Sequence, residues 1–175
     1  MATYPNIEIG DLVTADLLDS MLPKTHSKAT STTRNNTASL ANDDELTGIA
    51  LGVGTWDITL NAFWTCASTT PKIKTRGGFT GTWTTATRTC LGPGNAQVAG
   101  PEAVTEATFR GYTTDTQDAV YSTSTSVAYS TFVEICRNVV VTVAGTLSLQ
   151  WAQSTANASN TVMQAGSSFV VRQAA

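Results

Sequence analysis

An all-β fold, a sandwich or jelly roll, is the class this sequence predicts, and three observations predict it. In "TWDITLNAFWTC", Trp56, Ile58, Leu60, Ala62, Trp64 and Cys66 share one face and Asp57, Thr59, Asn61 and Thr65 the other. That is the period of two of a half-buried strand. Threonine is the commonest residue, and its β-branched side chain suits strands while its hydroxyl keeps their outer faces wet. The remaining apolar runs are short and punctuated by Gly and Pro. With 175 residues, 41% of them hydrophobic and 13% charged, the chain is large enough for one domain with a substantial core.

Taken in order, residues 1–29 read as an anchor segment apart from a β-sandwich domain over 30–175. In "TADLLDSMLP" the residues Leu17, Leu18, Met21 and Leu22 recur at helical spacing, Thr14 can cap the start and Pro23 stops the end. A helix this short is not stable alone, since isolated helices need about 12–15 residues, so its apolar stripe must dock on a partner. The polar "KTHSKATSTTRNNTAS" that follows reads as a linker or extended arm. "NDDEL" is a solvated turn leading into the strand "TGIAL", and "GIALGVGTW" turns between strands.

After the 56–66 strand, which should cross the middle of the domain, "PKIKTRGG", "FTGTWTT", "TRTCLGPGN" and "TEATFRGY" are short strand candidates. "SVAYSTFVEICRN" carries apolar residues on both faces, the mark of a strand covered on both sides. "VVVTVAG" turns at Gly145 into "GTLSLQWAQ" as a hairpin, with Leu147, Leu149 and Trp151 on one face. A small polar loop, "STANASN", precedes the last strand, "SSFVVRQ".

Several function classes are excluded or weakened. A net charge of -3 lacks the basic footprint of phosphate neutralisation, so nucleic acid is not an expected partner. No apolar window is long enough for a membrane span, and the opening residues lack the basic and apolar regions of a leader, so synthesis in a cytoplasm is expected. Cys66, Cys90 and Cys136 show no zinc spacing and read as buried free thiols. The lone histidine, His26, sits in the polar stretch and supports no triad, and the acidic trio lacks calcium-loop spacing, so no metal or other cofactor is expected. Glu102, Glu106, Asp115, Asp118 and Glu134 are the carboxylates from which a glycosidase pair would have to come. The expectation is that the protein is not an enzyme. Trp56, Trp64 and Trp151 belong to the core, whereas Phe79 and Trp83, in a glycine-rich segment, are candidates for a surface binding patch.

Two regions, "IGDLVTADLLDSML" and "GTLSLQWAQSTANASNTVMQAGSSFVVRQ", resemble a class of small virion structural proteins of tailed actinobacteriophages, whose members close on a pattern like "GTLxLQWAQxxSNA". The chain departs from it in reading "STANAS" and in having Phe169 where leucine is common. The resemblance implies a virion location, assembled in the bacterial host cytoplasm, and a structural role as a minor tail, head decoration or head-fibre protein. By analogy it implies a jelly roll of the tumour-necrosis-factor type and a homotrimer. Gln150 and Gln153 would then bond between subunits, and Leu17, Leu18, Met21 and Leu22 would bind the major capsid or a tail protein. The alternative is a minor tail protein or tail-fibre tip whose surface, around Phe79 and Trp83, meets a host cell-surface receptor.

Overall fold

Alternating apolar residues on threonine-rich segments produce strands throughout the chain. A computed structural model describes residues 12–15, 22–68, 70–84, 87–94, 107–112, 117–122 and 130–174. Within them the strands are β1 (Lys24–Ser27), β2 (Thr32–Arg34), β3 (Ala41–Asn42), β4 (Ile49–Leu51), β5 (Gly54–Cys66), β6 (Ile73–Phe79) and β7 (Thr82–Trp83). They continue with β8 (Thr87–Pro93), β9 (Ala107–Tyr112), β10 (Ala119–Tyr121), β11 (Ser130–Val143), β12 (Gly145–Gln153), β13 (Thr161–Met163) and β14 (Ser168–Gln173).

Two antiparallel sheets result. The larger runs β1-β14-β5-β11-β8-β9, with β13 on β5, β2 on β13 and β7 on β11; the smaller runs β10-β6-β12-β3, with β4 also on β12. Their inner faces form one core: Leu60, Trp64, Phe132 and Val139 of the larger sheet with Ile73, Leu147, Leu149 and Trp151 of the smaller, all buried. As the alternation requires, β5 lies inside its sheet, flanked by β14 and β13 on one side and β11 on the other.

The boundary between residues 29 and 30, and the linker read over residues 24–39, need correction. β1 pairs with β14, Lys24 opposite Val171 and Ser27 opposite Ser168, and β2 pairs with β13. The segment is polar because it edges the sheet, and its threonines are strand formers. Among the described residues the sandwich therefore begins at Lys24. Of the predicted helix, Leu17, Leu18 and Met21 lie outside the described residues; Leu22 is described and is 59% exposed.

β11 and β12 are not a hairpin, because they belong to different sheets. The chain passes from one sheet to the other at Ala144, and β6 passes to β7 the opposite way at Thr80 and Gly81. The two corners touch. A Cβ on Gly145 would lie 2.2 Å from the Gly81 nitrogen, and one on Gly81 would lie 2.2 Å from the Val143 carbonyl oxygen. Thr80 and Thr146 tie the corners, with Thr80 N donating to the Thr146 carbonyl at 3.1 Å and Thr146 N to Thr80 Oγ1 at 2.8 Å.

β11 is also not covered on both sides among the described residues. Phe132 and Glu134 face inward, a bulge at Arg137 and Asn138 shifts the register, and Val139 and Val141 continue the inner face. Asn138 takes a left-handed φ of 53° there, a conformation asparagine tolerates. Its N–H donates to Asp57 Oδ1 at 3.2 Å. On the outer face Val133 and Ile135 are half-buried, and Phe63, Leu91 and Val140 are exposed.

Candidate functional site

The residues just after β1 close one side of the sandwich. Lys28 is buried, its N–H donating to the Ser167 carbonyl of the larger sheet at 2.8 Å, while its Nζ reaches Asp43 Oδ1 at 2.9 Å beside the smaller sheet. The acidic turn is thus not solvated at Asp43, which is 1% exposed. Asp43 Oδ1 also accepts the Glu45 and Leu46 N–H groups at 3.0 Å, and Oδ2 accepts Trp151 Nε1 at 2.9 Å. Burial pushes this carboxyl up, but the Leu46 N–H, Lys28, the Glu45 N–H and Trp151 outweigh it and hold it below the usual carboxylate range.

Arg34 stacks its guanidinium 4.2 Å from the Trp151 ring centroid and donates to the carbonyls of Trp151, Ala41 and Asn42. Glu45 accepts from the backbone of Ala29 and Thr30 and from the Thr30 hydroxyl. Residues 28–34 therefore form a clasp: the backbone of Lys28 and β2 bonds on the side of the larger sheet, while the side chains of Lys28 and Arg34 reach the side of the smaller one.

The amides after Trp151 have a use different from the one expected. Gln153 is fully buried; its Nε2 donates to the Ser159 carbonyl at 2.7 Å and to Thr161 Oγ1 at 3.2 Å, and its Oε1 accepts the Asn157 N–H at 2.9 Å. It shapes the "STANASN" loop from inside and has no surface to offer another subunit, which corrects the interface assignment. Gln150 is half-buried on the outer face, bonded to Asn42 Oδ1 at 3.1 Å and lying over Gly78.

At the β1 edge a groove of about 310 Å³ is lined by Leu22, Lys24, His26, Ala50, Trp56, Val171 and Gln173. Trp56 is fixed there by its Nε1 donating to the Gly52 carbonyl at 2.8 Å. Leu22, Lys24 and His26 of this groove belong to residues 1–29, the segment read as the anchor.

Phe79 and Trp83 stack on each other, centroids 4.5 Å apart, and both are half-buried against the core. They fill the end of the sandwich at the crossing corners and keep only part of their surface exposed. Nearby, Trp83, Arg88, Glu134, Leu149 and Phe169 help line a cavity of about 30 Å³ between the sheets, room for about one water.

Of the candidate carboxylates, Glu102, Glu106 and Asp115 lie outside the described residues. Asp118 is paired with Arg76 at 2.6 Å and Lys74 at 3.7 Å. Glu134 is buried, accepting from Thr75 Oγ1, from the Tyr121 hydroxyl at 2.9 Å and from Arg88 Nη1 at 3.2 Å. Burial pulls the Arg88 guanidinium down, but the Glu134 carboxylate outweighs it and raises it above its ordinary value. Burial and then Glu134 push the Cys90 thiol up to about 11, so it is protonated and unreactive at neutral pH. No disulfide joins the cysteines; Cys66 and Cys90 are buried and Cys136 half-buried. Among the described residues no group of three His, Cys, Asp or Glu side chains is placed to hold a metal, and no helix is long and apolar enough to cross a membrane.

No protein-family model matches the chain, and no curated protein or solved structure matches it.

Proposed function

We propose that this protein is a structural component of a phage virion, a homotrimeric capsid decoration or head-fibre protein held to its partner through residues 1–21. The observation that carries this reading is where the body begins. Among the described residues the sandwich starts at Lys24 on an edge strand, and a groove beside that strand is lined in part by Leu22, the last residue of the apolar stripe. The buried polar groups, Asp43, Glu134 and Gln153, are all engaged within the chain, which supports a scaffold role. The trimer contact moves from the buried Gln153 to the outer face of the larger sheet, where Leu91 pairs with Val133 and Phe63 lies opposite Thr131, while Gln150 keeps an outward-facing amide. An exposed apolar patch of this kind suits association with further copies of the chain. A jelly roll of the tumour-necrosis-factor type remains part of this proposal.

Quantitative mass spectrometry of purified particles tests it. The expected copy number is on the scale of the major capsid protein. A far smaller number would instead support a minor tail protein or fibre tip meeting the host surface, and absence from the particle would overturn both.

A further inference from the structure

Lys28 and Asp43 are fully buried along their side chains, with Nζ 2.9 Å from Oδ1. Two charges held out of water carry a desolvation cost, which at Asp43 the Leu46 and Glu45 N–H groups, Lys28 and Trp151 offset. Attack on the carboxyl requires one proton to move along the Nζ–H···Oδ1 bond, against the donors that favour the carboxylate, which leaves an uncharged amine against a carboxylic acid. These are the reactants of amide formation, in a place from which hydrolytic water is excluded.

The surroundings complete a reaction site. Oδ1 accepts two backbone N–H groups, from Glu45 and Leu46, each at 3.0 Å, an arrangement that stabilises charge on that oxygen in a tetrahedral adduct. Oδ2 accepts Trp151 Nε1. Nζ also donates to Thr32 Oγ1 at 2.7 Å, and that hydroxyl donates at 3.0 Å to Oδ2 of Asp44, which is exposed. A proton path thus joins the buried nitrogen to solvent.

We propose that Lys28 and Asp43 condense within the folded chain into an intramolecular isopeptide bond. The bond from Lys28 Nζ to Asp43 Cγ forms and the Cγ–Oδ2 bond breaks. In the tetrahedral adduct the proton received by Oδ1 and a second one from Nζ pass to Oδ2, which leaves as water, and the third ammonium proton remains on the amide nitrogen. No oxidant, cofactor or second protein is consumed. Oδ1 becomes the amide oxygen and keeps the Glu45 and Leu46 N–H groups.

The product ties the chain leaving β1 to the turn beside the smaller sheet, so a pull on residues 1–27 meets a covalent link at Lys28. That use rests on the virion reading, whereas formation of the bond does not, and the test on purified protein lets the two fail separately. The full-length chain is stored folded, then denatured, weighed intact and mapped by proteolysis. The expected result is a mass one water below that of the sequence, with a branched peptide joining Lys28 to Asp43 that is missing from Lys28→Arg. Thr32→Val, which keeps the side chain's shape and removes the relay, is expected to slow its appearance by on the order of 100-fold. A folded chain of unmodified mass, or a water loss that maps to a succinimide instead, overturns the proposal.

Discussion

Gln153 shows how one side chain fixes a loop. It serves the Asn157 N–H, the Ser159 carbonyl and Thr161 Oγ1 while fully buried, so Gln153→Ala leaves groups without partners inside the protein. We expect a loss of about 1–3 kcal/mol in urea unfolding, with the oligomeric state unchanged in sedimentation, and a much smaller loss for the half-buried Gln150→Ala. Asp57 governs acid sensitivity at the β11 bulge. Burial pushes its carboxyl up, but Arg172 at 2.7 Å, the Asn138 N–H and Arg137 at 3.1 Å outweigh that and hold it below its ordinary value. A carboxyl lowered on folding contributes stability above its unfolded pKa of about 4 and loses it as pH falls through the folded value. Stability should therefore decline below about pH 4, and Asp57→Asn should flatten that decline in acid unfolding curves.

At the scale of elements, the strand over 56–66 was legible because its alternation is unbroken and its burial follows it from Ile58 to Cys66. β1 and β2 were not legible. A run of Lys, Thr and Ser carries no apolar period, and the burial of Lys28 depends on Asp43, fifteen residues along. The signal was present only as threonine, four of which lie between Thr25 and Thr33. The β11–β12 corner was misread for a related reason: Ala144 and Gly145 look like a turn, and only Gly81 on the other corner shows that Gly145 is there for close approach. Replacing Gly145 by Ala is expected to cost about 1–3 kcal/mol or more through overpacking. Differential scanning calorimetry would show it, and an unchanged melting temperature would mean that the corners do not touch.

For the whole molecule, the pairing of β1 with β14 puts the division between the proposed anchor and the body ahead of Lys24. A truncation at residue 29 would remove β1, cut the chain beyond Lys28 and leave Asp43 buried without its cation, and unpaired buried charges cost about 3–5 kcal/mol. The anchor must instead be removed ahead of Lys24. Deleting residues 1–21 and assaying the remaining chain for both melting temperature and incorporation into particles separates the two regions. The account predicts a melting temperature close to that of the full chain together with loss of the protein from purified virions. Incorporation of the shortened chain at the full-length copy number would contradict it.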